Sequence, residues 1–512
     1  MDATIGNHFE KHEEMDKTLI CEVIRQSLAQ ADSAQLLRNR LYLSLRQAIL
    51  DHRLEGGTLL PSSRQLCQEL AIGRKTVVHA YEQLLMEGYL ESRAGSGTYV
   101  SEALSGRSAF ITPRRLIGTR REGLSRRGNQ IASQGASSTI QRGAFIPGVP
   151  DTDLFPFAVW RRLMGKYTNK NMARFLDYAS SGYGPLKTVI AEYLSVTRLM
   201  KCQARQIVLL NGTHQALDLC ARMLCDVGDR VWIEEPGYWG ARNVMTAAGL
   251  TPVPIPLDER GIAPRPQDWK NSPRLIYVSP SSQYPTGTVL ALDRRLELLE
   301  GADSHGAWII EDDYDNEQHY DKSTVASLFG LSQKQRVIYL GTFSKVMFPG
   351  LRLAYMVLPE DLVEAFQVGN SELYRGGRLI EQAALAEFIA DGHFTAHIKR
   401  MRSVYKERRD CLCEALDKRL AGAIELSGGH AGLQLLYYFT EPIDDAMVAS
   451  DAMSKGLIVR PLSMYYQDQG QVRSGMNLGY GGVSVERIRT AAPMLADVIE
   501  ARLLRRERLR RT

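Results

Sequence analysis

The 512-residue chain has no apolar run near the roughly 18 residues that a membrane-crossing helix requires, which argues against an integral helical membrane protein. Its first thirty residues carry Glu, Asp and Lys where a secretory leader would have a basic start and an apolar stretch, so no leader is expected. Seven cysteines, an odd number with no C-x-x-C pair, make neither a disulfide framework nor a familiar zinc site, and no metal is expected. A reducing cytoplasm is the expected location. Charge of one sign is also lacking: 63 Lys and Arg against 58 Asp and Glu leave +5 overall. What is there is ordinary globular material, 44% hydrophobic and 24% charged, long enough for about two to four domains.

The near-neutral total hides an uneven distribution. Arg107 to Arg142 hold eight arginines and one acid, Glu122, and the last twelve residues hold six arginines and one glutamate. The rest of the chain is acidic, with a net of −7. The first of these segments is rich in Ser, Gly and Thr without a sustained period and reads as a flexible linker over 103–142. The expected organisation is an extension over 1–35, a helical-plus-hairpin unit over 36–102, the linker, and an α/β unit over 143–500. A basic tail over 501–512 closes it. Strand-like runs alternating with helical segments in the long unit predict a mostly parallel sheet.

In the short unit, Leu41, Leu45, Ala48 and Ile49 recur at helical spacing. Ser62 and Gln65 after Pro61 match a capping box that starts a second helix. A third runs from Arg74 to about Glu87, with Val77, Tyr81, Leu84 and Leu85 inward, and Gly88 stops it. "YLESRAGSGTYV" then reads as a hairpin. Three helices and a hairpin describe a winged helix-turn-helix, whose third helix enters the DNA major groove. Arg74, Lys75 and Thr76 occupy its reading end, and Arg64 is placed for phosphate. Gly95 and Gly97 let the wing backbone approach the duplex, with Arg93 and Ser96 beside them. A plain helical domain with surface arginines is the alternative, since residues 38–99 carry only +2.

Four stretches of the long unit carry possible chemistry. "RVIYLGTFSKVMFPGLRLAYMVL" puts Lys345 in a short loop after a strand; burial would favour its neutral, nucleophilic form. Arg352, seven residues on, offers a fork for phosphate. In "AWIIEDDYDNEQHY", Glu311, Asp312 and Asp313 end a buried strand, the end where parallel sheets bind ligands. Acids there could hold Mg²⁺, or one could pair with a protonated pyridine nitrogen. "QIVLLNGTHQALDLCARML" presents Gly212, Thr213 and His214 at a helix N-terminus, an anion cradle. "EEPGYWGAR" and "SPSSQYPTG" place Tyr238 to stack on a flat ring and Tyr284 in a second turn.

The string from "LYLSLRQAIL" to "GSGTYV" resembles the GntR-type winged-helix regulators, with Gly73 where that family usually has a capping Ser. The four later stretches, in their order, resemble the fold-type I aminotransferases, and the whole resembles the MocR family of regulators. The resemblance implies that Lys345 forms the internal aldimine with pyridoxal 5′-phosphate and that Asp312 pairs with its pyridine nitrogen. It implies Tyr314 and Tyr284 near the ring hydroxyl and Tyr238 on the ring face. Thr213, His214, Thr342 and Arg352 would surround the phosphate, with Tyr178 of the partner subunit, in a head-to-tail homodimer. In "SGMNLGYGG", Met476 stands at the apparent position of the arginine that holds a substrate carboxylate, and Met has no donor to hold one. Arg460 or Arg473 could substitute. An unusual amine, an amino sulfonate or the cofactor itself are the other candidate signals. The implied function is a regulator that binds double-stranded operator DNA and senses an amine or amino-acid-like effector, or the cofactor, through the aldimine at Lys345. A working aminotransferase carrying a DNA-binding module is the second reading, and a large domain serving only as scaffold the third.

Overall fold

A computed structural model describes residues 17–30, 36–93, 95–102, 123–133, 143–169, 175–176, 182–320, 326–468, 470 and 472–511. It divides into two compact units within residues 1–120 and 121–512.

The N-terminal unit comprises α1 (Lys17–Gln30), α2 (Leu37–Leu50), α3 (Ser63–Glu69) and α4 (Arg74–Met86), then the hairpin strands β1 (Leu90–Arg93) and β2 (Gly97–Val100). Leu41, Leu45, Ala48 and Ile49 of α2 and Val77, Ala80, Tyr81 and Leu84 of α4 are buried in one core; Leu85 is half-buried. Ser62 Oγ accepts from the Gln65 backbone N–H at 3.2 Å, which caps the start of α3. Gly88, at φ +76°, takes a left-handed conformation just past α4. The stretch read as an extension contributes α1 to this core. Ile20, Cys21 and Ile24 are buried in it, and Arg25 donates to the Glu69 carbonyl at the end of α3. Three helices therefore become four.

The second unit begins with α5 (Arg126–Ser133), then α6 (Phe157–Tyr167) and α7 (Gly184–Thr197). Strands and helices then alternate: β3 (Ile207–Leu210), α8 (Thr213–Leu224), β4 (Arg230–Glu235), α9 (Trp239–Ala248), β5 (Thr251–Asp258) and β6 (Gly261–Ile262). β7 (Leu275–Val278), α10 (Leu292–His305), β8 (Trp308–Asp312), α11 (Leu328–Leu331), β9 (Val337–Thr342) and β10 (Ala354–Val357) follow. The rest is α12 (Val363–Tyr374), α13 (Leu379–Ala390), α14 (His393–Leu420), β11 (Ile424–Ser427), β12 (Gln434–Phe439), α15 (Asp445–Ser454), β13 (Arg460–Pro461), β14 (Gly475–Gly479) and α16 (Val485–Arg511).

The main sheet has the order β3-β10-β9-β8-β7-β4-β5-β6. Pairings from β9 through β8, β7 and β4 to β5 are parallel; β10 is antiparallel to both β3 and β9. The sheet is thus mixed, with a parallel centre. Its central strands read as mostly apolar runs because both faces are covered: β7, β8 and β9 are buried at every position. Since β10 reverses once between two neighbours, β3 runs with the parallel set. The carboxyl ends of β3, β4, β7, β8 and β9 therefore open on one edge. A smaller antiparallel sheet, β11-β12-β14-β13, packs with α14 and α16 around a second core.

Two arginine-rich segments differ from expectation. Part of the linker, Arg126–Ser133, is helical, and Arg127 donates to the Ala247 carbonyl at the end of α9. The remainder of that linker lies mostly outside the described residues. The tail continues α16, and Arg502 and Arg506 pair with Asp451 and Glu441. Those arginines are committed to acids of the same unit.

Candidate functional site

The common edge holds a cavity of about 320 Å³. Its lining brings together Lys345, Asp312, Tyr314, Tyr238 and Tyr284 with Gly212, Thr213, His214, Thr342 and Arg352. Tyr178 lies outside the described residues. The residues so brought together come from strand ends and the loops and helix starts next to them. Asp312 is the last residue of β8, Thr342 the last of β9, and Lys345 sits in the loop that follows. Gly212 caps α8 after β3, at φ +120°, and a Cβ there would lie 3.1 Å from the Arg352 guanidinium. The N-terminus of α8 and Arg352 thus share one face of the cavity, a place for an anion.

Asp312 and Lys345 are the chemically distinctive pair. Asp312 Oδ2 accepts from the Tyr277 hydroxyl at 2.7 Å, while its buried Oδ1 has no hydrogen-bond partner among the described residues. Burial pushes the Asp312 carboxyl up to about 6; the Tyr277 hydrogen bond and Lys345 favour its charged form. Lys345 Nζ donates to the Gly148 carbonyl at 2.7 Å. Burial lowers its pKa, the Asp315 and Asp312 carboxylates oppose that, and Arg460 adds to it. A lysine so placed releases its proton more readily than one in water. His214 Nε2 and the Tyr238 hydroxyl are 2.9 Å apart, and burial, then Arg352, lowers the His214 pKa. Tyr284 meets Tyr314 edge-on at 6.0 Å, and its hydroxyl lies 3.0 Å from that of Tyr465.

The three consecutive acids have separate fates. Glu311 accepts the backbone N–H groups of Leu328 and Phe329 at the start of α11. Asp313 pairs with buried Arg198 at 2.8 Å and accepts from Tyr339. Only Asp312 faces the cavity, so the three do not converge as a metal cage would, and no cluster of three metal-ligating side chains occurs among the described residues.

Met476 is fully buried in the core of the small sheet rather than in the cavity wall. Strand alternation turns its neighbour Asn477 to the opposite face, where it donates to the Tyr465 hydroxyl and sits in register with Arg460. Arg460 lines the cavity. Arg473 stands elsewhere, 3.5 Å from Glu425 and over the Tyr438 ring. Sequence reasoning also missed Tyr277, Gly148 and Gln434, all in the lining. Tyr277 could have been found by alternation along β7. Gly148 and Gln434 come from distant segments that carry no local signal.

In the N-terminal unit, Arg64, Arg74 and Lys75 are exposed and Thr76 is half-buried at the start of α4. Gly95 and Gly97 carry positive φ in the hairpin turn; a Cβ on Gly97 would lie 2.7 Å from Leu59 Cδ1. Ser96 Oγ is 2.7 Å from the Tyr99 hydroxyl. Arg93 pairs with Glu102 at 2.9 Å and stacks over Tyr99. Among the described residues it is the one basic side chain named for DNA that an acid partners.

The cavity's residues suit pyridoxal 5′-phosphate. An open carboxylate oxygen can take a pyridinium N–H, an amine stands near it, an aromatic ring supplies a flat face, and a helix N-terminus with an arginine suits a phosphate. The comparisons with known proteins agree. Residues 148–478 match the family described as aminotransferase class I and II, and residues 37–100 match bacterial regulatory proteins of the gntR family. The probable rhizopine catabolism regulatory protein MocR of Rhizobium meliloti is 39% identical, covering 88% of this chain and 92% of that one. The HTH-type regulator YdeL of Bacillus subtilis is 34% identical, covering 88% and 94%. Among solved structures, the α-aminoadipate aminotransferase LysN of Thermus thermophilus, complexed with N-(5′-phosphopyridoxyl)-L-leucine, superposes with a TM-score of 0.66 at 25% identity. That match covers 73% of this chain and 97% of LysN. No helix among the described residues is long and apolar enough to cross a membrane. The chain belongs to the MocR family of GntR-type regulators, in which a winged helix-turn-helix unit precedes an aminotransferase-like domain of fold type I.

Proposed function

We propose that this protein is a transcriptional regulator whose large unit binds pyridoxal 5′-phosphate at Lys345 and senses a small amine there. The observation that carries this reading is the buried Oδ1 of Asp312, without a hydrogen-bond partner among the described residues, in the same cavity as a lysine of lowered proton affinity. The bound cofactor supplies an aldehyde carbon open to amines and a ring nitrogen that, once protonated, withdraws electrons from it. Asp312 holds that nitrogen's proton, and Tyr277 keeps the carboxylate oriented. Tyr238 covers the ring face, and Tyr314 and Tyr284 stand beside the ring hydroxyl. Gly212, Thr213, His214, Thr342 and Arg352 hold the phosphate, joined by Tyr178 of the partner subunit in a head-to-tail homodimer. Arg460 is the cation for any acidic group on the effector.

At the other unit, Arg74, Lys75 and Thr76 read base edges of double-stranded operator DNA. Arg64 and the wing residues Arg93, Gly95, Ser96 and Gly97 lie along its backbone. An effector changes operator occupancy only by favouring one of two conformations. The test is a spectral titration of the purified protein with candidate amines, run beside operator binding. A visible band that shifts with an amine, together with a change in operator affinity, is expected; a colourless protein overturns the reading. Borohydride is expected to fix cofactor to the wild-type chain and not to Lys345→Ala. Steady product formation from an amine and a 2-oxo acid would favour a working aminotransferase.

A further inference from the structure

Two polar atoms of the cavity lining are left over once the cofactor is accounted for. Gln434, the first residue of β12, is 9% exposed and lines the cavity. Its Oε1 is buried without a hydrogen-bond partner among the described residues. Trp239, the first residue of α9, lines the same cavity, and its indole Nε1 is likewise buried without a partner among those residues. One atom is an acceptor and the other a donor. Leaving either unpaired costs free energy, so each calls for a partner that brings the missing group.

The cofactor brings neither. Its ring N–H is answered by Asp312, and its phosphate oxygens accept from the side of Gly212 and Arg352. The two open atoms lie elsewhere in the wall. Trp239 packs in a cluster with Leu436, which stands two residues beyond Gln434 on the same face of β12. Gln434 Nε2 reaches the Tyr314 hydroxyl at 3.5 Å, which leaves Oε1 as the open end of the amide. That end is close to the reactive amine. A Cβ built on Gly148 would lie 2.9 Å from Lys345 Nζ and 3.5 Å from Gln434 Oε1, so both atoms border one small space.

We propose that Gln434 and Trp239 form a hydroxyl-binding subsite, so that the effector is an amine with a hydroxyl group on a carbon near its nitrogen, an amino alcohol or a hydroxy amino acid. A hydroxyl both donates and accepts, so this one kind of group answers both atoms: its hydrogen goes to Gln434 Oε1 and its oxygen takes the Trp239 N–H. A carboxylate would satisfy Trp239 and set a second acceptor against Gln434. An ammonium would satisfy Gln434 and leave the indole N–H unpaired. An alkyl group in the same place leaves both atoms unpaired, the case in which a polar site discriminates most strongly. Arg460 remains the cation for an acidic group where the effector has one. Gln434 is thus a specificity-determining residue that selects among amines able to react at Lys345. This deepens the reading of the cavity as the cofactor and effector site and rests on it.

The test uses the purified holoprotein and two matched pairs of amines, 2-aminoethanol with propylamine and serine with 2-aminobutyrate, in which a methyl group replaces the hydroxyl. Apparent dissociation constants are read from the shift of the visible band in wild type and in Gln434→Leu. Wild type is expected to favour the hydroxylated member of each pair, and Gln434→Leu to reduce that preference by about ten- to a hundredfold. The basicities of the amines themselves cancel when the two proteins are compared. The same preference in both proteins overturns the proposal, since water alone would then answer the open acceptor. No response of wild type to any of these amines overturns it as well. Should Gln434→Leu not fold, Trp239→Phe keeps an aromatic ring and loses the N–H: a fall of about two- to tenfold supports the subsite, and no fall overturns it. Borohydride fixation on the wild-type holoprotein is read separately. Its absence at Lys345 defeats the cofactor assignment, whereas fixation with an unchanged preference defeats the hydroxyl subsite alone.

Discussion

The two units spend their charged residues in opposite ways. At the start of α4, Arg74 and Lys75 stand in solvent, and their chemistry waits for a partner that brings the opposite charge. In the large unit, Asp312, Asp315 and Lys345 have left water, and each needs a neighbouring charge, a hydrogen bond or a ligand to offset that loss. An exposed reading surface costs the fold little and can be altered without unfolding it. A buried site is coupled to stability, so pH, cofactor and mutation should act on fold and function together.

That contrast can be tested most strongly with pH. Glu234, Glu311, Asp312, Asp315 and Glu317 are pushed by burial to between about 6 and about 8. A carboxyl whose folded pKa is raised binds its proton more tightly folded than unfolded. Stability is then fullest below the unfolded value near 4 and lost as pH rises through the folded value. The cofactor-free large unit is expected to lose on the order of several kcal/mol between pH 5 and 8. Calorimetry at several pH values would show a falling transition temperature; a rising one would mean these acids are stabilised as anions. Leu84→Ala, in the fully buried core of the small unit, is expected to cost about 2–5 kcal/mol of that unit's stability by chemical denaturation. Its effect on borohydride fixation at Lys345 should be nil if the units are independent.

Arg74→Ala should leave folding intact yet weaken operator binding by about 1–3 kcal/mol with relaxed base preference, measured by fluorescence anisotropy. Arg93→Ala should do less, because Glu102 already holds that side chain. The smallest change is Gly73→Ser. Gly73 caps α4 with no side-chain hydrogen bond, so a serine hydroxyl should add a few tenths of a kcal/mol, visible as a slightly raised denaturation midpoint.

Much of this was legible in the residues because strand ends write short local words. Asp312 at the end of β8 and Lys345 after β9 announce themselves through an apolar run that stops at a polar group. The cavity's other wall was not legible. Gly148 and Gln434 join Lys345 in the lining only because long-range packing brings these segments together, and no local period encodes that. The helix α1 had a signal, since Ile20, Cys21, Ile24 and Ser27 fall on one face, all buried. Met476 shows a different limit. A shift of one residue in a strand exchanges its two faces, so it is Asn477, not Met476, that faces Tyr465 and stands in register with Arg460.

The reversed strand β10, set between two strands of the parallel set, also has a consequence for synthesis. Because β10 lies between β3 and β9, the edge bearing Gly212 and Lys345 cannot close until the chain has been made through Val357. The winged-helix unit is complete by Val100, about 250 residues earlier. At roughly 5–20 residues per second, that interval lasts on the order of tens of seconds. A ribosome that stalls within it releases a chain able to fold its reading head with no sensor behind it.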